Sequence, residues 1–270
     1  MAILSSGAGN ILVHGHRGAR TVLPENTLPA FQYAIQVGAD ALELDLAVTR
    51  DNVLVVSHDL VLDPRICQGP AGSRVIRELT LAELRRWDCG GRRHPEFPKQ
   101  RAIPRTPVPT FEEVLALAPR GGFDFNVETK LSASRPEYAP PPGEFARLVY
   151  ESVRARGLER RVILQSFDFR TLHAMEKLAP EVRRSALFQQ GSSDFVAVAR
   201  EARATIVSPH LSLVTAERVK AAHNAGLQVV PWTANEPAQW DALIAAGVDA
   251  IITDDPEALL SYLRARALHR

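Results

Sequence analysis

The stretches VKAAHNAGLQVVPWT (219–233) and WDALIAAGVDAIITDD (240–255) repeat one pattern near the end of the chain. Each begins with the apolar spacing of a helix, passes through a glycine and ends in a short apolar run typical of a buried strand. Gly226 and Gly247 lie where the helices should end, because glycine readily adopts the left-handed conformation found at helix C-termini. A helix followed by a buried strand is the repeating unit of a parallel α/β fold.

The same alternation extends back to the start of the chain and gives nine candidate strands. They are 11–14, 41–46, 53–56, 123–128, 162–165, 184–188, 205–208, 228–232 and 250–252. Only six residues separate the second strand from the third, whereas a parallel crossover needs a dozen or more, so this pair is predicted to be a hairpin with a turn near 49–52. Eight strand–helix units then remain. They favour an α/β fold of the (β/α)8 TIM-barrel type, with an open doubly wound sheet as the alternative.

Three of the predicted helices have a clear start. Thr27, Thr110 and Asp168 each come directly before a helical pattern and carry a side-chain oxygen that can accept a bond from a free backbone N–H. Gly38 marks the expected end of the first helix.

Residues 60–109 break the regular alternation. The segment is rich in Pro, Gly and Arg, with one short helical pattern at 80–87, and we predict a small insertion after the second strand within a single domain, 1–270. Cys67 and Cys89 lie in it, 22 residues apart. Two cysteines do not make a disulfide framework, so we interpret them as free thiols, with a disulfide as the alternative.

Composition excludes several classes of protein. The 270 residues are 46% hydrophobic and 23% charged, which is ordinary globular usage, and the net charge of +1 gives no general attraction for nucleic acid. No run approaches the roughly 20 apolar residues of a membrane span, so stable membrane insertion is not expected. The first residues lack the pattern of a signal peptide, which makes the cytoplasm the expected location.

Acidic residues occur inside two predicted strands. In ALELDLAV (41–48), alternation places Glu43 and Asp45 on one face, and FDFNVETK (123–130) places Glu128 and Lys130 together near a strand end. Buried neighbouring carboxylates repel each other unless they pair with cations or hold a metal ion. We favour a metal site over salt bridges because both strands carry carboxylates near their C-terminal ends. Oxygen ligands suit Mg²⁺ or Ca²⁺, with Mn²⁺ possible, better than zinc.

Two histidines accompany the acids. His16 and His58 each follow a predicted strand beside a charged neighbour, and two imidazoles on either side of a phosphodiester can divide proton removal and proton donation. Arg17 offers a planar fork for phosphate oxygens, and Lys130 offers a second positive charge. His14 could support such a site, but packing inside the barrel is the preferred interpretation.

The combination of HRGAR (16–20), PENTLPAF (24–31), GADALELDLAVTRDNVLVVSHD (38–59) and VETK (127–130), followed by WTAN (232–235) and TDDP (253–256), is highly specific. Over nearly its whole length the sequence resembles the glycerophosphodiester phosphodiesterases, relatives of the phosphatidylinositol-specific phospholipases C. The resemblance implies a barrel with an insertion after the second strand. It also implies His16 and His58 as the acid–base pair, Glu43, Asp45 and Glu128 as metal ligands, and Arg17 and Lys130 as phosphate contacts, with Glu25 holding Arg17.

The sequence also departs from the family pattern. LVLDPRICQGPAG (60–72) replaces the Asp-Arg-Thr-Thr common after the second histidine, which leaves the shape of the insertion open, and Thr129 is expected to face outward. Later strand ends carry further side chains that could line a pocket, namely Gln165, Phe167, His210 and Trp232. Among these, Phe167 and Trp232 are predicted to contact the alcohol part of a substrate, with packing at the rim as the alternative.

The expected reaction is metal-dependent hydrolysis of a small glycerophosphodiester to sn-glycerol 3-phosphate and an alcohol. One rival is a lysophospholipase D-like hydrolysis of lysophospholipids. Another is a catalytically silent binding barrel, which the retained cluster of mutually repelling carboxylates argues against.

Overall fold

A computed structural model describes residues 10–190 and 194–270. The strands are β1 Leu12–Gly15, β2 Ala41–Val48, β3 Leu54–Val56, β4 Asp124–Thr129, β5 Val162–Ser166, β6 Arg183–Phe188, β7 Ile206–Pro209, β8 Gln228–Val229 and β9 Ala250–Thr253. The helices are α1 Leu28–Val37, α2 Leu81–Leu84, α3 Phe111–Leu115, α4 Pro142–Arg154, α5 Phe169–Leu178, α6 Phe195–Ala202, α7 Ala216–Asn224, α8 Pro237–Ala246 and α9 Pro256–Arg264. Within these described ranges, no helix is both long and apolar enough to cross a membrane.

Eight strands form a parallel sheet in the order β8-β7-β6-β5-β4-β2-β1-β9. Two backbone hydrogen bonds of 3.0 Å, from Asp249 N to Val229 O and from Ile252 N to Pro231 O, bring the two ends of this sheet together. Strand β3 lies outside this order and pairs antiparallel with β2, as the short connection predicted. The predicted (β/α)8 barrel is therefore confirmed, and the open sheet is excluded.

The alternation of side chains along the strands separates two apolar cores. Leu42, Leu44 and Leu46 belong to the large core between the sheet and the surrounding helices. A smaller core inside the barrel contains Ile163, Ile206, Val230, Ala250 and Ile252. Because neighbouring residues of a strand point to opposite faces, the acidic residues between the β2 leucines are directed into the barrel.

The predicted helix starts are confirmed, because the side chains of Thr27, Thr110 and Asp168 accept bonds from the first turns of α1, α3 and α5. Strand β8 is shorter than the predicted 228–232 and ends at Val229. Pro231 lacks an N–H and cannot donate to a neighbouring strand, which limits regular pairing there.

The insertion after the hairpin has a small core of its own, which packs Leu62, Ile76, Leu84 and Trp87 against β2 and β3. Gln68 and Asp88 exchange backbone hydrogen bonds of 2.8 and 2.7 Å across this core.

This pairing places the two flanking cysteines opposite each other, and Cys67 and Cys89 form a disulfide. The preferred interpretation of two free thiols is wrong. The pairing of the two segments brings the sulfurs together, and that pairing is not visible in the local sequence.

Removal of the disulfide should destabilise the insertion. Closing a loop of 22 residues restricts the unfolded chain, so the double variant Cys67→Ser/Cys89→Ser should lose about 3 kcal/mol of unfolding free energy. Urea unfolding with and without reductant measures this loss. The double variant should not respond to reductant, and two titratable thiols in the native wild-type protein would contradict the assignment.

Candidate active site

Three carboxylates converge at the C-terminal end of the barrel strands. Glu43 and Asp45 come from β2 and Glu128 from β4, where Asp45 and Glu128 are direct partners across the parallel pair. One oxygen from each lies within 4.8 Å of the others, and all three side chains are buried. The structure therefore brings together the three acids that the sequence selected.

The three acids differ in their electrostatic surroundings. Burial, together with the charges of Asp45 and Glu128, raises the pKa of Glu43 well above its usual value. Burial also raises the pKa of Glu128. For Asp45 burial acts in the same direction, but Lys130 and Arg17 overcome it and hold the pKa well below its usual range.

The loop after β1 holds this cluster through backbone and side-chain donors. Arg17 has a φ of 51° and Asn26 a φ of 55°, both in the left-handed region that non-glycine residues rarely occupy. In this conformation the Arg17 N–H donates to Glu43 at 2.9 Å, and the Asn26 amide donates to Asp45 at 2.8 Å. As predicted, Glu25 holds the Arg17 guanidinium, at 2.7 Å.

Two more side chains bind the acids from the next strands. Lys130 Nζ lies 3.0 Å from Asp45 Oδ1 and 2.7 Å from Glu128 Oε1. The Gln165 amide, at the end of β5, donates to Glu43 Oε1 at 2.9 Å. Lys130 keeps its charge because Asp45 and Glu128 outweigh the effect of burial and raise its pKa.

The two predicted histidines occupy the same site in different environments. His16 Nδ1 lies 2.5 Å from Asp254 Oδ1, and its Nε2 lies 3.9 Å from Glu43. Burial lowers the pKa of His16, and Asp254 opposes that shift. His58 follows β3 and is about one-third exposed, with its Nδ1 2.7 Å from Asp59 Oδ1.

His14 packs inside the barrel, which confirms the preferred interpretation. It is 3% exposed, and its Nδ1 lies 3.4 Å from the amide of Asn126. Burial lowers its pKa to about 3, so it is a neutral ring at physiological pH. Thr129 faces away from the acid cluster, but it is buried beneath α5 and its hydroxyl meets those of Ser166 and Thr171.

These groups surround a cavity of about 410 Å³ at the mouth of the barrel. Its lining includes most of the predicted site residues, namely His16, Arg17, Glu43, His58, Glu128, Lys130, Phe167 and Trp232. Asp45 lies beneath this surface. Phe167 and Trp232 meet edge to face, with ring centroids 5.6 Å apart, so they pack together and also border the cavity.

The sequence motifs do not predict a role for Asp254 or for Arg20. Asp254 is buried at the end of β9, where the Asn235 amide donates to its second oxygen at 2.7 Å. Arg20 lines the cavity and pairs with Glu25 at 2.6 Å. Both residues belong to quoted motifs, TDDP and HRGAR, but a motif does not indicate which of its polar residues faces another loop.

Substitution Asp254→Asn should lower stability in a pH-dependent way. Burial opposes ionisation, but His16, Arg20 and Asn235 lower the pKa of Asp254 from 3.8 to about 2. A carboxyl whose pKa is lower in the folded state stabilises the protein above its unfolded pKa, here by about 2 kcal/mol, and loses this effect as the pH falls.

Urea unfolding at pH 7 and at pH 2.5 to 4 tests this expectation. The difference in unfolding free energy between wild type and variant should be largest at neutral pH. It should shrink as the pH falls from about 4 towards 2. An equal difference at every pH would contradict the lowered pKa of Asp254.

Comparison with known proteins agrees with this geometry. Residues 16–258 match the profile of the glycerophosphoryl diester phosphodiesterase family. A glycerophosphodiester phosphodiesterase of Caldanaerobacter subterraneus is 33% identical over 253 residues, which cover 94% of this chain and 98% of that protein.

Solved structures agree in fold. A protein from Silicibacter pomeroyi has a TM-score of 0.91 at 31% identity, covering 98% of this chain and 96% of that one. An Oleispira antarctica phosphodiesterase, solved with its product sn-glycerol 3-phosphate, has a TM-score of 0.79 at 24% identity, covering 94% of this chain and 96% of that one. The resemblance inferred from the motifs is confirmed: the chain belongs to the glycerophosphoryl diester phosphodiesterase family, and it is a phosphoric diester hydrolase.

Proposed function

We propose that this protein hydrolyses small glycerophosphodiesters to sn-glycerol 3-phosphate and an alcohol, with a divalent cation and a pair of histidines. The observation that carries the proposal is that two imidazoles, three cationic side chains and the carboxylates of Glu43 and Glu128 line one cavity, with the Asp45 carboxylate within 4.8 Å of both acids. The sn-glycerol 3-phosphate bound to the phosphodiesterase from Oleispira antarctica supports the choice of product.

Arg17 and Lys130 provide the positive charge for the phosphodiester. Both side chains are anchored by carboxylates, Arg17 by Glu25 at 2.7 Å and Lys130 by Glu128 at 2.7 Å, so their positions are set before substrate arrives. A guanidinium can bind two phosphate oxygens at once, and an ammonium acts as a point charge.

Glu43, Asp45 and Glu128 would hold the cation. Three converging carboxylate oxygens are the donor set that Mg²⁺, Ca²⁺ or Mn²⁺ takes, and burial together with the neighbouring charges of Asp45 and Glu128 raises the pKa of Glu43. When bound, such an ion neutralises charge on the phosphate and lowers the pKa of a hydroxyl that contacts it. Arg17 N–H and Gln165 keep Glu43 oriented for this role.

His16 and His58 would move the protons. One removes a proton from the attacking hydroxyl, which belongs either to water or to the glycerol, and the other protonates the leaving oxygen. If the glycerol hydroxyl attacks, the alcohol leaves and a cyclic phosphate forms, which water then opens to sn-glycerol 3-phosphate with the proton roles of the two histidines reversed. Each imidazole is held through Nδ1 by a carboxylate, His16 by Asp254 and His58 by Asp59, which leaves Nε2 as the nitrogen available for proton transfer.

Phe167 and Trp232 are proposed to contact the substrate beyond its phosphate, because they pack edge to face and add apolar surface to the lining of the cavity. The sequence predicts a cytoplasmic location. The disulfide Cys67–Cys89 argues against that prediction, because such bonds persist mainly in oxidising compartments.

Loss of either histidine should stop the reaction without unfolding the barrel. His16→Ala and His58→Ala should each lower kcat by about 10²- to 10⁴-fold, since each removes one proton-transfer group. Release of sn-glycerol 3-phosphate, coupled to its dehydrogenase, measures the rate. His223→Ala on α7 is the matched control, and wild-type activity in either site variant would refute the assignment.

Metal removal should abolish activity, and metal binding should stabilise the protein. At a free cation concentration 100 times its Kd, the gain in unfolding free energy is about 2.7 kcal/mol. Mg²⁺, Ca²⁺ and Mn²⁺ are compared by calorimetry and thermal unfolding after EDTA treatment. Glu43→Gln should lose this gain, whereas Glu217→Gln on α7 should keep it. Activity that survives exhaustive chelation would exclude the metal-dependent mechanism.

A further inference from the structure

A second depression lies beside the active-site cavity. It is an open trough of about 500 Å³, and Phe167 lines both the trough and the cavity. In the described part of the chain, Phe167 and Leu178 are the large apolar side chains with the greatest exposure, and Phe167 is 47% exposed. An apolar ring at the boundary between two depressions gains free energy when an apolar group covers it.

Half of the lining of the trough is apolar, and part of it follows Lys130 along the chain. Leu131 follows Lys130 directly along the chain, and Ala133 lies two residues further on. On the other side, Phe167 and Phe169 come from the turn between β5 and α5. Because Lys130 lies in the proposed phosphate site, a group attached to the phosphodiester can pass over Phe167 and enter the trough.

Three polar side chains of the lining have partners within the protein, namely Asp168, Arg170 and His173. The Arg170 guanidinium makes two bonds to the Asp168 carboxylate, at 2.9 Å through Nε and 2.6 Å through Nη2. His173 Nε2 lies 2.7 Å from the carbonyl of Glu201. The Glu201 carboxylate adds a negative charge to the lining, which would repel an anionic group, and the apolar side chains of the lining fit a hydrocarbon chain.

We propose that this trough is a substrate subsite that binds an aliphatic chain attached to the phosphodiester. The inference rests on the proposed function and adds a preference within it. The chain could belong to the leaving alcohol or to an acyl group on the glycerol, since either could cross Phe167.

Three substrates distinguish these sources. sn-Glycero-3-phospho-ethanol is the short reference. sn-Glycero-3-phospho-octanol carries the chain on the alcohol, and 1-octanoyl-sn-glycero-3-phospho-ethanol carries it on the glycerol. Rates are measured by phosphorus NMR below the micelle-forming concentration, with saturating Mg²⁺, Ca²⁺ or Mn²⁺. We expect one chain-bearing substrate to exceed the reference in kcat/KM by about tenfold or more, which burial of two methylene groups would suffice to produce.

Ala133→Trp is the decisive variant, because Ala133 is exposed on the trough and does not line the active-site cavity. An indole there should fill the trough and abolish the preference for the chain, with hydrolysis of the short reference unchanged. Phe167→Ala should also reduce the preference, because it removes the shared apolar wall. The matched control is Ala221→Trp, at an exposed position of α7.

The outcomes separate this inference from the proposed function. Equal rates for all three substrates, or a preference that survives both Ala133→Trp and Phe167→Ala, would overturn the subsite. A preference that Ala221→Trp also abolishes would overturn it as well. Failure of the wild-type protein to cleave even the short reference with any of the three cations would overturn the proposed function, and the subsite would fall with it.

Discussion

Mutual repulsion among Glu43, Asp45 and Glu128 is the constraint around which the site is built. Their oxygens lie within 4.8 Å of one another in a buried setting, where unpaired negative charges are strongly unfavourable. Lys130 meets two of them, and backbone and amide donors satisfy others. The loop after β1 and the ends of β2, β4 and β5 are thus tied together by charge as well as by the barrel hydrogen bonds.

The fold could be predicted because periodicity and connection length are local properties of a sequence. The helix–glycine–strand repeats near Gly226 and Gly247 identified parallel units, and the short link after β2 identified the hairpin. The same reasoning brought Glu43, Asp45 and Glu128 to one end of the barrel, because parallel strands end at one edge.

The remaining features depend on contacts between distant segments. Asp254 meets His16 across 238 positions of sequence, and Cys67 meets Cys89 only because their segments pair within the insertion. No spacing rule identifies such partners. The shortening of β8 has a local cause in Pro231, but the consequence of a missing N–H depends on which neighbour would have accepted it.

The two histidines differ in what supports them. His16 lies at the end of a barrel strand and is held by the buried Asp254. His58 follows a hairpin strand that packs against the insertion. One half of the proton-transfer pair therefore depends on the barrel, and the other depends on a segment with its own small core. Changes in the insertion can alter the position of His58 while the acid cluster stays in place.

The left-handed backbone at Arg17 and Asn26 has a consequence for protein engineering. Each non-glycine residue in that region costs on the order of 1 kcal/mol relative to an ordinary conformation. Glycine would relieve this cost, but it would also remove the guanidinium and the amide that pair with the buried carboxylates of Glu25 and Asp45, and leaving such groups unpaired costs more. A screen that introduces glycine at left-handed positions to raise thermal tolerance should therefore leave these two residues unchanged.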